Sequence, residues 1–282
     1  MNHQNSYHIQ SLYEQYKNGI RNNCSKEQDE FHTPLLNSIQ PLKPYRIAPI
    51  HRLTQIEHLL NLIPEIEKTK TFTIHTERHW ELNMVTLIEI ELVQVQRKES
   101  IVLYLELLHL PSPNTLLFSV IRTLINKIFH PSKRIIVWSN DNKEDLQILV
   151  LWAYLSKCTF DETYLIVLQG PFKVWYNKTF KHLKKCYVPS FDVQDHCYCS
   201  CPYRPYKNVY DQWTLEAAIE YTFGEFIHKP NGNLIDYQQN IIYHVHRGLA
   251  MAKLLMAVEL DWSSNDLSLF NRFHRSKNKS FP

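Results

Sequence analysis

The chain has 282 residues, 44% hydrophobic and 21% charged, enough to bury a sizeable core without disulfides or metals as staples. It has only five glycines, and the closest two, Gly224 and Gly232, cannot build a GxGxxG turn, a GxxxxGK phosphate loop or a GxSxG elbow. Dehydrogenases with that turn, P-loop NTPases, protein kinases and ordinary α/β-hydrolases are thereby disfavoured. The 31 basic and 28 acidic residues leave a net charge of +3, too small to establish a polyanionic partner and too small to exclude one. The N-terminus, MNHQNSYHIQ, lacks the charged-then-apolar pattern of a secretory signal. No apolar run approaches the ~20 residues of a membrane span. The six cysteines then read as reduced thiols. The expectation is an intracellular protein, in nucleus or cytoplasm, without a membrane partner.

In chain order, residues 1–45 are polar and Asn/Gln-rich and read as a flexible N-terminal arm. Thr54-Gln-Ile-Glu57 has capping-box spacing before Leu59, Leu60 and Ile63, and Pro64 should break that helix. Residues 71–77, 84–96 and 101–108 read as three strands joined by short polar connections, an antiparallel meander. In the second, Met84, Thr86, Ile88, Ile90 and Leu92 share one face. A helical stripe follows at 114–129, then a buried strand at 134–138, a helix at 142–155, a fifth strand at 163–169 and a helix at 171–185. An irregular cysteine-bearing stretch spans 187–212. Helices are expected at 214–227 and 236–260, the latter capped by Asp236, and a basic tail at 263–282. The order predicts an α/β domain over 46–262, with one mixed five-stranded sheet flanked by helices.

Three local patterns stand out: Phe72-Thr-Ile-His75-Thr-Glu77 on the first strand, Glu144-Asp145-Leu146 after Trp138, and Tyr243-His-Val-His-Arg247 on the last helix. Together they resemble the 3′–5′ exonuclease domains of the ribonuclease D and Werner-helicase exonuclease type. The likeness covers roughly residues 71–260. It implies a ribonuclease H-like fold with strand order 3-2-1-4-5, and single-stranded 3′ ends as the bound nucleic acid. That family carries Asp-x-Glu on its first strand, a second Asp opening a helix, and a late Tyr-x-x-x-Asp.

The chemistry behind those residues is two-metal hydrolysis. Two Mg²⁺ or Mn²⁺ ions about 3.5–4 Å apart activate a water and stabilise the leaving oxygen of a phosphodiester. Hard cations take carboxylate oxygens. Alternate strand residues share a face, and a Tyr four residues before an Asp lies one helical turn away. Here the set departs from the pattern. Glu77, Asp145 and Tyr243 match, but His75 and Arg247 stand where the family has Asp. A guanidinium in a metal position repels the ion and can pair with Glu77 or Asp145. The expectation is a vestigial site, in a domain that binds nucleic acid or protein without cutting. The alternatives are an active metal-dependent 3′–5′ exonuclease using Glu77, Asp145, Tyr243 and His75 or His246, and a scaffold without nucleic-acid binding. A repurposed metal site on His75, Glu77 and His79 is a further alternative, against plain polar residues in a vacated cleft.

Two other segments carry chemistry. His196, Cys197, Cys199 and Cys201 offer four donors for a structural zinc, with His182 and Cys186 as alternates; the competing reading is a loop of free thiols. The run 172–185 interleaves aromatics with Lys173, Lys178, Lys181 and Lys184, which could track a phosphate backbone. Its competing reading is an amphipathic helix with Phe172, Trp175 and Phe180 in the core and the lysines in water. No resident cofactor is expected beyond that zinc, and Mg²⁺ or Mn²⁺ if the site is active.

Overall fold

A computed structural model of the chain describes residues 37–79, 81, 83–94, 96–181, 211–228 and 237–278. In chain order it contains β1 (Asn37–Ser38), β2 (Tyr45–Ile50), α1 (Ile56–Lys68), β3 (Thr71–His79), β4 (Met84–Val93), β5 (Ser100–Glu106) and α2 (Leu116–Ile128). There follow β6 (Arg134–Val137), α3 (Asn140–Asp145), α4 (Ile148–Leu151), α5 (Lys157–Glu162), β7 (Tyr164–Val167) and α6 (Gln169–Thr179). The last elements are α7 (Leu215–Phe223), β8 (Glu225–Phe226), α8 (Tyr237–Glu259) and α9 (Ser264–Asn278). The chain divides into two compact units. One takes Pro41–Leu168 and Lys229–Lys253; the other takes the N-terminal residues through Gln40, Gln169–His228 and Leu254 onward.

The first unit is built on a mixed sheet in the order β2-β5-β4-β3-β6-β7. The meander holds: β3 pairs antiparallel with β4, and β4 with β5. The crossovers then place β6 parallel to β3 and β7 parallel to β6. The five expected strands therefore keep the relative order 3-2-1-4-5 of a ribonuclease H-like fold. The sheet has six strands rather than five, because β2 adds to the free edge of β5 in parallel register, Tyr45 opposite Ser100. Proline at position 49 is tolerated there because an edge strand has one side without ladder bonds.

The helices differ from expectation at their ends. Pro64 does not break α1: it lies inside a helix that continues to Lys68. No side chain caps its start at Gln55; Thr54 Oγ1 instead accepts from the His51 N–H and donates to the Pro49 carbonyl, closing a local turn. The single helix expected over 142–155 is two short pieces, α3 and α4, with Ala153 at φ 61° stopping the second. Ser139 caps α3 in a reciprocal box with Asn142. Helix α7 ends at Gly224, whose φ of 64° closes the last turn in the left-handed region. Asp236, the expected cap of α8, lies outside the described residues.

One face of the sheet packs α1 and α2 through Leu59, Leu62, Ile66, Ile121, Leu124 and Ile128, all buried, against Phe72, Ile74, Ile88 and Ile90. The other face receives the first part of α8. Val245 and Leu249 cover Leu87, Val102 and Tyr104. A Cβ at Gly248 would sit 3.8 Å from the Glu89 Cβ, so the helix backbone rides close over an acidic position. The second unit centres on aromatic packing of Phe172, Trp175 and Tyr176 on α6 with Trp213, and carries the short β1–β8 pairing.

Beneath α8, alternation along β4 aims Glu89 and Glu91 inward, where both are buried. The Glu91 carboxylate accepts from Ser100 Oγ at 2.6 Å and from Thr73 Oγ1 at 3.5 Å. Burial nevertheless pushes it up to about 7, against these hydroxyls and the Lys43 charge. A carboxyl raised in the folded state favours folding least where it must ionise. Stability should therefore fall as pH rises from about 4.5 through 7, by about 3 kcal/mol over the window. In urea titrations between pH 5 and 8.5, Glu91→Gln should flatten that loss.

Candidate functional site

The C-terminal end of β3 gathers the expected residues of the first unit. His75 and Glu77 alternate onto the face covered by α8, whose second turn brings His244 and Arg247, one helical turn on from Tyr243. Arg247 Nη1 donates to Glu77 Oε2 at 2.7 Å, and its guanidinium carbon stands 5.6 Å from the Tyr243 ring centre. His75 Nε2 is 3.8 Å and His244 Nδ1 4.0 Å from the same Glu77 oxygen. Burial opposes ionisation of Glu77. His75 and the charges of Arg247 and His244 outweigh it and hold the carboxyl below its ordinary range. The closest of these is Arg247, so we assign most of the effect to that ion pair.

Asp145 is held by a different set. Thr76 Oγ1 donates to Asp145 Oδ2 at 2.8 Å, and Asn142 Nδ2 donates to Thr76 Oγ1 at 2.8 Å. The box at Ser139 fixes Asn142, so a three-residue relay runs from the helix cap to the carboxylate. Arg78 Nη2 takes the other Asp145 oxygen at 2.5 Å, while Arg78 Nη1 reaches Asn83 in the β3–β4 turn at 3.3 Å. The two retained acids are thus each engaged by a separate guanidinium. One is Arg247, whose type at a metal position foretold it; the other is Arg78, which the sequence reading passed over.

Two further residues, Glu89 and His244, belong to the cluster without a family motif to mark them. Glu89 is fully buried, and neither of its carboxylate oxygens has a hydrogen-bond donor among the described residues; His244 Nδ1 lies 3.7 Å away. Burial raises Glu89 well above the ordinary carboxylate range, with Arg247 pulling it down and Glu77 pushing it up. Burial also lowers His246, whose Nε2 lies 3.3 Å from Tyr45 Oη. The period-two acids Glu89 and Glu91 in β4 were the available signal for Glu89.

These donors do not fit the two metals that the family likeness implies. No three His, Cys, Asp or Glu side chains among the described residues are placed to hold a metal ion. Glu77 already faces a guanidinium at hydrogen-bond distance, and Asp145 faces another. The alternative grouping of His75, Glu77 and His79 with Asp145 is not assembled either.

The other sequence-marked residues lie elsewhere. Lys173, Lys178 and Lys181 belong to the second unit, where Lys178 pairs with Asp261. Phe172 and Trp175 are buried and Trp175 Nε1 donates to the Trp262 carbonyl, so these rings are core rather than stacking platforms. Lys184, His182, Cys186, His196, Cys197, Cys199 and Cys201 lie outside the described residues.

Fold and site together define an α/β protein of ribonuclease H-like topology whose acidic centre is occupied by arginines. No protein-family model matches the chain, and no curated protein does. Among solved structures it is similar to the RNase D of Trypanosoma brucei, at 11% identity and a TM-score of 0.45, over 84% of this chain and 72% of that one. The Nibbler EXO domain of Aedes aegypti gives 11% and 0.45, over 83% and 100%. Escherichia coli RNase D, an exoribonuclease involved in structured RNA processing, gives 13% and 0.42, over 84% and 52%. The fold class stated here rests on strand order and direction. No helix among the described residues is long and apolar enough to cross a membrane.

The ion pair makes a measurable claim. Replacing Arg247 by Met should leave a half-buried Glu77 uncompensated and cost roughly 1–2 kcal/mol, discounted from buried-pair values for partial exposure. Because the folded state lowers Glu77, its contribution is present above about pH 4.5 and is lost as pH falls. Denaturant titrations from pH 3 to 7 should show that acid-side loss in the parent and much less of it in Arg247→Met.

Proposed function

We propose that this is an exonuclease-fold domain that does not carry out two-metal hydrolysis and that serves to bind nucleic acid, in an intracellular setting. The observation that carries this reading is the Arg247–Glu77 pair, supported by Arg78 on Asp145. Metal-dependent hydrolysis needs carboxylate oxygens free for two cations and a water activated between them. Here each acid's charge is met by a guanidinium, which supplies positive charge but cannot acidify a water as a divalent ion does. An empty four-carboxylate centre would repel a phosphodiester. A charge-compensated centre does not, which favours holding a strand over cutting it.

The parent should show no Mg²⁺- or Mn²⁺-dependent digestion of 3′-labelled oligonucleotides, while retaining measurable affinity for them at low salt. Digestion abolished by Glu77→Gln would establish the active-enzyme alternative, and absence of both cutting and binding would leave the scaffold reading. The carboxylate account is testable by restoration. The double variant His75→Asp, Arg247→Asp should gain little Mn²⁺ affinity, because Arg78 still holds Asp145. Adding Arg78→Gln should produce a Mn²⁺-dependent rise in melting temperature by mass action.

A further inference from the structure

The far end of the same sheet carries the first unit's excess positive charge. Register places the starts of β2, β3, β5 and β6 and the end of β4 together: Tyr45 opposite Ser100, Ile101 opposite Leu92, Val93 opposite Thr71, and Thr71 opposite Arg134. Glu77 and Val137 lie at the other ends of β3 and β6, so this pole faces away from the vestigial site.

The cations there are held rather than dangling. Lys133 Nζ donates to the carbonyls of Ile66, Glu67 and Thr69 at the C-terminus of α1, where a positive charge also suits the helix dipole. Lys70 and Lys127 are its like-charged neighbours, and each disfavours a further charge on Lys133. Across the pole, Lys43 Nζ binds the carbonyls of Gln94 and Arg97 in the β4–β5 turn. Gln94 Nε2 ties that turn to α1 through the Glu65 carbonyl and Thr69 Oγ1. Exposed Lys68, Lys70 and Lys98 complete the surface.

The acids present are already engaged: Glu65 with Arg97, Glu67 with Lys127, and Glu99 with Arg46. Asp161 and Glu162 of α5, beside the start of β7, bound the patch on that flank. Like charges gathered on one surface cost stability unless a polyanion relieves them. We propose that this pole binds the phosphate backbone of a nucleic acid, without reading its bases.

The span from β2 to β6 is four interstrand steps, about 19 Å, or roughly five base steps of a duplex axis. Among the described residues, none of the exposed large hydrophobics lies within 65–70, 96–98 or 127–134, so no described apolar side chain there is placed to insert into lipid. Tyr164, the one exposed ring nearby, stands at the acidic margin. Sequence-independent backbone contact is what such a surface allows.

The inference rests on the nucleic-acid-binding reading and assigns it a surface, so the test separates the two. Fluorescently labelled mixed-sequence 20-mers, single-stranded and duplex, are titrated from 50 to 200 mM salt against four proteins. These are the parent, Lys68→Glu/Lys70→Glu/Lys98→Glu, its Gln counterpart, and Lys173→Glu/Lys181→Glu. The polar triples should bind at least about tenfold more weakly, with a salt slope shallower by about 2–3, since each lost phosphate contact removes about 0.9. The Lys173→Glu/Lys181→Glu variant should bind like the parent. All three residues are exposed, and the Gln triple with an unchanged melting temperature guards against misfolding. A parent that binds with both triples unaffected overturns this inference alone. A parent that binds no oligonucleotide at 50 mM salt overturns the binding reading itself, and binding only to phosphatidylserine vesicles through the same lysines would replace nucleic acid with a membrane.

Discussion

Everything at the centre of the first unit follows from laying α8 across an acidic sheet face. Glu77, Glu89 and Glu91 all project toward that helix, and three carboxylates cannot be taken from water as free charges. Each is met differently. Glu77 keeps its charge because Arg247 approaches to 2.7 Å. Glu91 is met by the hydroxyls of Ser100 and Thr73 and the Lys43 charge, and it titrates near neutrality. Glu89, with no donor in reach among the described residues, is driven toward its neutral form. The helix can seat only with this division of protons and partners.

The same constraint accounts for Arg247. A carboxylate at that position would add a fourth acid to a face already carrying three, and metal ions would be needed to hold it closed. A guanidinium removes that requirement and fixes the helix by a direct pair. Arg78 does the equivalent for Asp145 from the outer side of β3, anchored in turn by Asn83. A centre built this way holds its shape without metal.

On this reading the sheet has two poles of different character. At one, charge is balanced residue by residue, Arg247 on Glu77 and Arg78 on Asp145. At the other, Lys68, Lys70 and Lys98 have few acids to answer them, because Glu65, Glu67 and Glu99 are already paired. A net charge of only +3 over the whole chain conceals that separation. The acidic end is met by arginines, while Lys68, Lys70 and Lys98 at the basic end are exposed.

Much of the scaffold was legible from the residues. Alternation in Met84–Val93, the short apolar run at Arg134–Val137 and the apolar stripe of Leu116–Ile128 report local backbone preference and burial, which a sequence records directly. Spacing along a strand or helix also marked His75 and Glu77, and Tyr243 and Arg247, as pairs on one face, and the structure sets these four side by side. Partnership was not legible. Glu89 and Glu91 alternate with the apolar residues of β4, and only the return of α8, some 150 residues later in the chain, lays a helix backbone over Glu89. Arg78 looked like one more surface charge until α3 delivered Asp145 beside it. Pro64 read as a break because local rules forbid it, yet packing of Leu59, Leu62 and Ile66 holds the helix through it. The basic pole, too, is scattered over five elements and becomes a patch only when parallel and antiparallel registers bring their ends together. The sequence by itself determined most of the elements, the order of the five core strands through its family likeness, and the presence of His75 and Arg247 at the motif positions. Tertiary structure alone decided which charges meet, because electrostatic pairing depends on distance in space and not along the chain.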